Sequence, residues 1–282
     1  YALIINDRNK ITDIKNTTLP VSNYNDNTSL TVSDISINDD FDIVSVKRKT
    51  SLKGHLKENS QKDLMYYYDY VNEDYKKYKT KSFIGHIKKK KDIAKYGNEL
   101  NSLVEKLKTK QAENFKNETN KEYRFDISNH TYDITNTGRY NFSDAFVYNE
   151  SFDVEKDLVK KAGRNYILEV GKLIGGQVEI SEKEKIRDNN IYMNYPKSFN
   201  NNINLTIPEG YTIAGLDKLN TNISNETGGF TSTATVNDNI LSIKVSKYYT
   251  HNFEPKENWS KMVEFLDVAY QFTQEKILLK KI

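Results

Sequence analysis

The residues able to do acid–base or metal chemistry are scattered along this chain. Its four histidines are His55, His86, His130 and His251. None stands in a His-x-x-x-His or His-Glu-x-x-His spacing, which would set two imidazoles on one helical face around zinc. Each reads as a surface or turn residue. Carboxylates cluster at Asp39, Asp40 and Asp42 and again at Glu179, Glu182 and Glu184. The first group lacks the ligand spacing of a ~12-residue calcium loop. In the second, Glu179 alternates with Val178 and Ile180 as on a strand, so both groups read as solvated faces. A glycosidase would hold two carboxylates ~5–10 Å apart, and nothing here singles out a pair. Phosphate loops, dinucleotide fingerprints and nucleophile elbows are absent from the sequence. The cysteine count is zero, which removes disulfides, thiolate metal sites and a cysteine nucleophile. The expectation is no catalytic, cofactor-binding or metal-binding residue, and no cofactor.

Tyrosine is the one abundant functional type, with 20 residues. Tyr66, Tyr67 and Tyr70 fall in a short cluster, and aromatic faces of this kind can stack on a pyranose ring or a peptide. The same spacing also suits a helix packing one face on a sheet with hydroxyls at the rim, and that reading is favoured for most of the cluster. The three tyrosines are kept as a candidate binding surface. Lys88 to Lys91 form a basic run beside His86, but 42 basic and 39 acidic residues leave a net charge of only +3. Without a wider basic stripe the run reads as solvated, and no nucleic-acid partner is expected.

The elements that must position these groups are mostly strands. Short ones are expected at Leu3–Ile5, Ile11–Ile14, Leu30–Val32, Ile35–Ile37 and Phe41–Val46, the last closing through Leu52 to His55. From Ser60 the period becomes helical: Leu64, Tyr67, Tyr68, Val71, Tyr75 and Tyr78 share a face. A second helix follows Gly97-Asn98, with Leu100, Leu103, Val104, Leu107, Gln111 and Phe115 on one side. Strands return at Tyr123–Ile127, Tyr132–Ile134 and Arg139–Tyr148, then at Tyr166–Val170, and Gly175-Gly176 breaks the chain before Val178 and Ile180.

The C-terminal third carries the clearest periodicity. Ile203 to Ile207 alternate strictly, and Phe230–Val236 and Leu241–Val245 form a hairpin around Asn237-Asp238-Asn239, residues that tolerate positive φ. Trp259, Met262, Val263, Leu266, Ala269, Tyr270 and Thr273 mark an amphipathic helix, and Ile277 to Leu279 a last strand. The expected fold is mainly β with packed helices, an α+β chain of two β-sandwich-like antiparallel units joined by a helical segment. The units are 1–117, strands then two amphipathic helices, and 118–282, a sandwich-like unit with one C-terminal helix and a terminal strand. The apolar runs are far shorter than the ~20 residues of a membrane-crossing helix. The opening Tyr-Ala-Leu-Ile-Ile, without Met or a leader, reads as a mature chain or a piece of a longer one.

The segment around Arg187, Tyr192 and Pro196, followed by Ile207-Pro208-Glu209-Gly210-Tyr211 and ending in Lys276-Ile277-Leu278-Leu279-Lys280, resembles the C-terminal β region of bacterial transglutaminase-like envelope proteins. The resemblance covers 176–282 well and 1–60 loosely. It implies an N-terminal β-sandwich, a papain-like core with a Cys-His-Asp triad, and this β tail. Transglutaminase chemistry needs a Cys paired with His; no Cys is present, so no catalytic residue carries over. The resemblance implies a periplasmic or outer-membrane-associated location. It also implies a partner protein in the envelope, or a catalytic core upstream of Tyr1. Three functions stay open: an accessory or interaction region of such a protein; a stand-alone peptide- or glycan-binding module using its tyrosines; and a hydrolase using paired carboxylates.

Overall fold

The computed structural model describes residues 21–282 and, before them, the backbone of two paired antiparallel strands, β1 (Ala2–Ile5) and β2 (Ile14–Thr17). The strand expected at Ile11–Ile14 lies outside the described residues except at Ile14. The segments expected as separate strands at Leu30–Val32 and Ile35–Ile37 are one strand, β3 (Thr28–Ile37), because the two-residue alternation runs unbroken through Ser33-Asp34. Its return to β4 (Ile43–Leu52) is fixed by Asn38, whose side-chain amide donates to the Asp42 carboxylate at 2.7 Å. The Asn38 side-chain oxygen accepts from the Asp42 and Ile43 amides at 3.1 and 2.9 Å, an Asx-type turn.

Leu52 ends β4 as expected, but Gly54 and His55, read from sequence as the close of that strand, already belong to helix α1 (Gly54–Leu64). The chain breaks at Met65-Tyr66 and restarts as α2 (Tyr67–Tyr78), where the Asp69 carboxylate accepts the Tyr66 amide at 2.9 Å, satisfying an orphan donor of the new helix. α3 (Lys90–Tyr123) starts well before Gly97 and passes through it. A glycine in an exposed helix costs only about 1 kcal/mol, so it weakens the helix there without ending it. Arg124 ends α3 at φ 60°, and the expected strand at Tyr123–Ile127 is instead the helix terminus and a link.

β5 (Ser128–Asn136) and β6 (Phe146–Glu155) follow. Between them, residues expected as strand at Arg139–Tyr148 begin as a loop that curls around one ammonium. Lys57 Nζ donates to the carbonyls of Gly138, Asn141, Phe142 and Asp144 at 2.8–3.1 Å. β7 (Val159–Ala162) and β8 (Asn165–Leu168) lead to a 3-10 turn at Val170–Ile174. Gly175, at φ 79°, then turns the chain onto α3, where the Gly176 amide donates to Glu122 O at 2.6 Å. Val178–Ile180 therefore lie in an irregular connection rather than a strand.

The remaining elements are β9 (Ile191–Tyr192), β10 (Lys197–Thr206), β11 (Tyr211–Ala214), β12 (Thr221–Asn225), β13 (Gly228–Asn237), β14 (Ile240–Tyr249), β15 (Phe253–Glu254), α4 (Trp259–Phe272) and β16 (Ile277–Lys281). β13 and β14 form the expected hairpin, with Asp238 at φ 52° in its turn.

Rather than two sandwich-like units, the chain builds one large mixed sheet in the order β12-β13-β14-β10-β3-β4-β6-β5, beside a four-stranded sheet β11-β16-β8-β7 and the small pair β15-β9. All pairs in the large sheet are antiparallel except β10 with β3. The boundary expected between 1–117 and 118–282 falls inside α3, and strands from both sides of it share this sheet. The reason is β10, which sits between β14 and β3 and hydrogen-bonds to both along nearly its full length. The class is α+β.

Register sorts the covered face into cross-strand rows. One row is Leu241, Leu205, Ile35, Val46 and Phe152, apolar throughout. The next is Ile243, Ile203, Ser33, Arg48 and Glu150. Beyond it come Val245, Asn201, Thr31, Thr50 and Tyr148, then Lys247, Phe199, Ser29, Leu52 and Phe146. α4 and the four-stranded sheet bury the apolar end, with Phe272 against Phe230 at 5.5 Å. α1 and α3 bury a second apolar cluster around Phe115, Phe146 and Leu52. A polar seam is left between the two clusters.

Candidate functional site

The seam opens into a cleft of about 510 Å³. Its floor is the third and fourth rows of the sheet, its walls are α1, the C-terminal half of α3 and the turn at 174–177. Each floor residue is placed by alternation. Ser29 and Thr31 share a side of β3 with the buried Ile35; Thr50 shares a side of β4 with Val44 and Val46; Lys247 shares a side of β14 with Ile243 and Val245. These polar groups therefore face the covered side of the sheet, where solvent is scarce.

Lys247 is the most perturbed of them. Burial, with Lys197 nearby, lowers its pKa to about 8. Its ammonium donates to Gln177 Oε1 and lies 5.6 Å from the Phe199 ring and 5.8 Å from that of Tyr249, so aromatic faces take the place of a counter-ion. Lys197, at the next in-facing position of β10, is also lowered by burial and sits 5.6 Å from the Tyr195 ring. On the far wall, the Arg124 guanidinium donates to Gln177 O at 3.3 Å, and Glu122 projects from α3.

One side of the cleft rests on a buried ionic cluster. Arg48 donates through Nε to Glu150 Oε2 at 2.8 Å, through Nη1 to Glu122 Oε2 at 2.7 Å and through Nη2 to Thr119 Oγ1 at 3.0 Å. Glu150 Oε1 accepts from Thr119 at 2.8 Å and contacts His130 Nε2 at 2.9 Å. Burial alone would raise the Glu150 carboxyl; Arg48, His130 and Thr119 together hold it below the ordinary carboxylate range. The same cluster holds Arg48 charged against its own burial. His130, expected at a surface or turn, has its imidazole 3% exposed inside this cluster. The guanidinium also lies over Tyr123 and Phe152, at 5.1 and 5.6 Å. With each charged group tied to fixed partners, the arrangement secures α3 to the sheet.

The tyrosine cluster does not converge on one surface. Tyr67 is 65% exposed. The Tyr66 hydroxyl accepts from Asn114 at 3.1 Å across to α3. Tyr70 is half-buried, its ring 4.6 Å beneath the Arg139 guanidinium, which itself bonds Glu73 and Asp74 at 3.1 and 3.2 Å. The carboxyl that burial pushes up, Asp69, serves the α2 terminus and Gln111 rather than an open cleft. Of the other histidines, His55 stacks on Tyr195 at 4.8 Å, His251 bonds Glu254 at 2.6 Å, and His86 closes the short 3-10 turn at Ile84–His86. Arg187, singled out by the resemblance, lies 4.9 Å over the Trp259 ring. The described residues hold no group of three or more His, Asp or Glu side chains arranged for a metal ion, and no helix long and apolar enough to cross a membrane.

The cleft was hidden from motif reasoning because its residues are ordinary strand polars. The available signal was parity: Ser29, Thr31, Arg48, Thr50 and Lys247 all occupy in-facing positions of strands whose other in-facing residues are apolar.

Residues 165–279 match a family described as a domain of unknown function with a solved structure (DUF3858). The match runs from β8 into β16. It takes in four strands of the large sheet, three of the small one and α4, including Lys247 on the cleft floor. β3 to β6 and the first three helices lie outside it. Comparison with curated proteins and comparison with solved structures give no match.

Proposed function

We propose that this chain is a non-catalytic interaction region of a transglutaminase-like cell-envelope protein, periplasmic or outer-membrane-associated. In this reading the sheet-face cleft holds an extended peptide segment of a protein partner or of an upstream catalytic core. The observation that carries it is the cleft floor. Ser29, Thr31 and Asn201 present hydroxyls and an amide from the adjacent strands β3 and β10, which lie the ~4.7–4.9 Å of strand pairing apart, and so can meet successive polar groups of an extended backbone. Lys247 on the floor and Arg124 on the wall suit a carboxylate.

The envelope part rests on the resemblance carried by Arg187, Ile207 to Tyr211 and Lys276 to Lys280; the family match covers the same segment and names no activity. Transglutaminase chemistry needs a thiolate and the sequence has no Cys, so within this reading the part of this chain is binding. The tyrosine cluster supports a glycan site less well, since Tyr70 is already stacked under Arg139.

Calorimetric titration with short peptides bearing a free C-terminal carboxylate, beside the same peptides amidated, tests the reading. The acid forms are expected to bind, and Lys247→Met to weaken them about tenfold or more, the size of one charge-assisted hydrogen bond. Equal behaviour of acid and amide, unchanged by Lys247→Met, would reject it.

A further inference from the structure

α3 is 34 residues long, about 51 Å at 1.5 Å per residue, yet its buried residues are Gln111, Phe115, Thr119 and Tyr123. From Asp69 to Lys110 no described residue is buried. α2 and α3 meet where Tyr68 bonds Gln111. Beyond that point the C-terminal part of α2, the 3-10 turn at Ile84–His86 and the first twenty or so residues of α3 form an arm that adds nothing to either apolar cluster.

A helical segment without core contacts is kept in a sequence at a cost in stability, so its surface composition is informative. At the tip, Lys79, Lys81, Lys88 to Lys91 and Lys95 stand against a single acid, Asp92. This is where the nearly balanced charge of the chain becomes one-sided. Interleaved with the lysines are apolar side chains held in water: Phe83 is 57% exposed, Tyr96 41% and Ile93 36%. The lysine ammoniums there have no carboxylate partner within ion-pair distance among the described residues.

From this geometry we infer that the arm tip docks on an anionic membrane surface, the lysines facing phosphate headgroups and Phe83, Ile93 and Tyr96 entering the headgroup–acyl boundary. Lysines with interleaved aromatic and aliphatic side chains are the composition that binds there. A second copy of the chain is disfavoured as occupant, because two tips of the same sign repel. A flat duplex would use the lysines but leave Phe83 and Ile93 in water. The arm is separate from the cleft, so this inference stands or falls independently of the peptide-binding reading.

Co-sedimentation of the whole chain with vesicles of phosphatidylcholine, with and without phosphatidylglycerol, tests it. Binding is expected to the anionic vesicles alone and to fall steeply with salt. Lys88→Glu with Lys90→Glu is expected to weaken it more than about tenfold, and Phe83→Ser by less. Lys47→Glu with Lys49→Glu, on the opposite, solvated face of the sheet, leaves it unchanged. All these residues are outside the core, so circular dichroism should report the same fold throughout. Three results would overturn the inference: no sedimentation with anionic vesicles at low salt, binding that survives the tip reversal, or tighter binding to a short DNA duplex than to the vesicles. A dimer in sedimentation velocity that Leu103→Glu dissociates would reassign the arm to self-association and overturn it as well.

Discussion

Arg48 and Glu150 are register partners on β4 and β6, joined on the covered face by two contacts of 2.7 and 2.8 Å to Glu150 Oε2, with both side chains nearly inaccessible to water. Such a pair adds little over a well-packed apolar pair, because desolvation offsets most of the attraction, but losing one member strands the other charge. Glu150→Ala is therefore expected to destabilise by about 3–5 kcal/mol. Arg48→Met with Glu150→Leu should recover most of that loss in urea melts. The Glu150 carboxyl is held below its ordinary value, so its contribution is present above that value and fades as pH falls through the folded pKa. The gap between wild type and the apolar double variant should narrow or reverse on acidification.

Gln111 is 1% exposed and uses its full hydrogen-bonding capacity. Its Oε1 accepts from Tyr68 and, at 2.7 Å, from Tyr132; its Nε2 donates to Leu64 O and Asp69, both at 2.7 Å. One amide thereby ties α3 to α1, α2 and β5. Gln111→Leu keeps the volume and leaves two phenols and two acceptors unmatched, for an expected loss of about 2–4 kcal/mol. Hydrogen exchange should show α2 opening before the sheet in this variant.

Lys247 runs the other way. Its pKa of about 8 lies below the ordinary lysine value of 10.5, so the unfolded chain holds the proton more tightly than the folded one. The resulting penalty is complete below about pH 8 and disappears as pH rises toward about 10.5. Lys247→Met is expected to stabilise the protein at neutral pH by about 1–3 kcal/mol, with the advantage shrinking in alkaline melts. A stability gain together with loss of peptide binding would mark a residue retained for its ligand.

How much of this was legible in the sequence differs along the chain. The β13–β14 hairpin, α4 and β16 were readable because alternation, turn residues and helical spacing agree there. α1 was not, since Gly54-His55-Leu56-Lys57 carries little apolar periodicity and owes its place to Lys57 reaching the 138–144 loop. The single large sheet was not readable either. Only the parallel pairing of β10 with β3, across some 170 residues of chain, joins the two ends, and strand patterns do not state partners. His130 shows the same limit: an imidazole in an alternating strand looks solvated until α3 is laid over it.

Two glycines separate what close packing demands from what helix propensity tolerates. A Cβ on Gly171 would lie 1.9 Å from Phe272 O and 2.9 Å from the Thr273 carbonyl carbon, because the 3-10 turn after β8 passes directly under the C-terminus of α4. The Gly171 amide also donates to Glu275 O at 3.0 Å. Backbone cannot move aside as a side-chain end can, so Gly171→Ala is expected to cost more than about 2 kcal/mol and to lower the thermal midpoint. Gly97 has nothing within 4 Å of the corresponding position and sits in the free stretch of α3. Gly97→Ala should increase helical ellipticity and stabilise the arm by about 1 kcal/mol without moving the global midpoint, because the arm opens on its own. A shared shift of the global transition in both variants would show the arm to be coupled to the core after all.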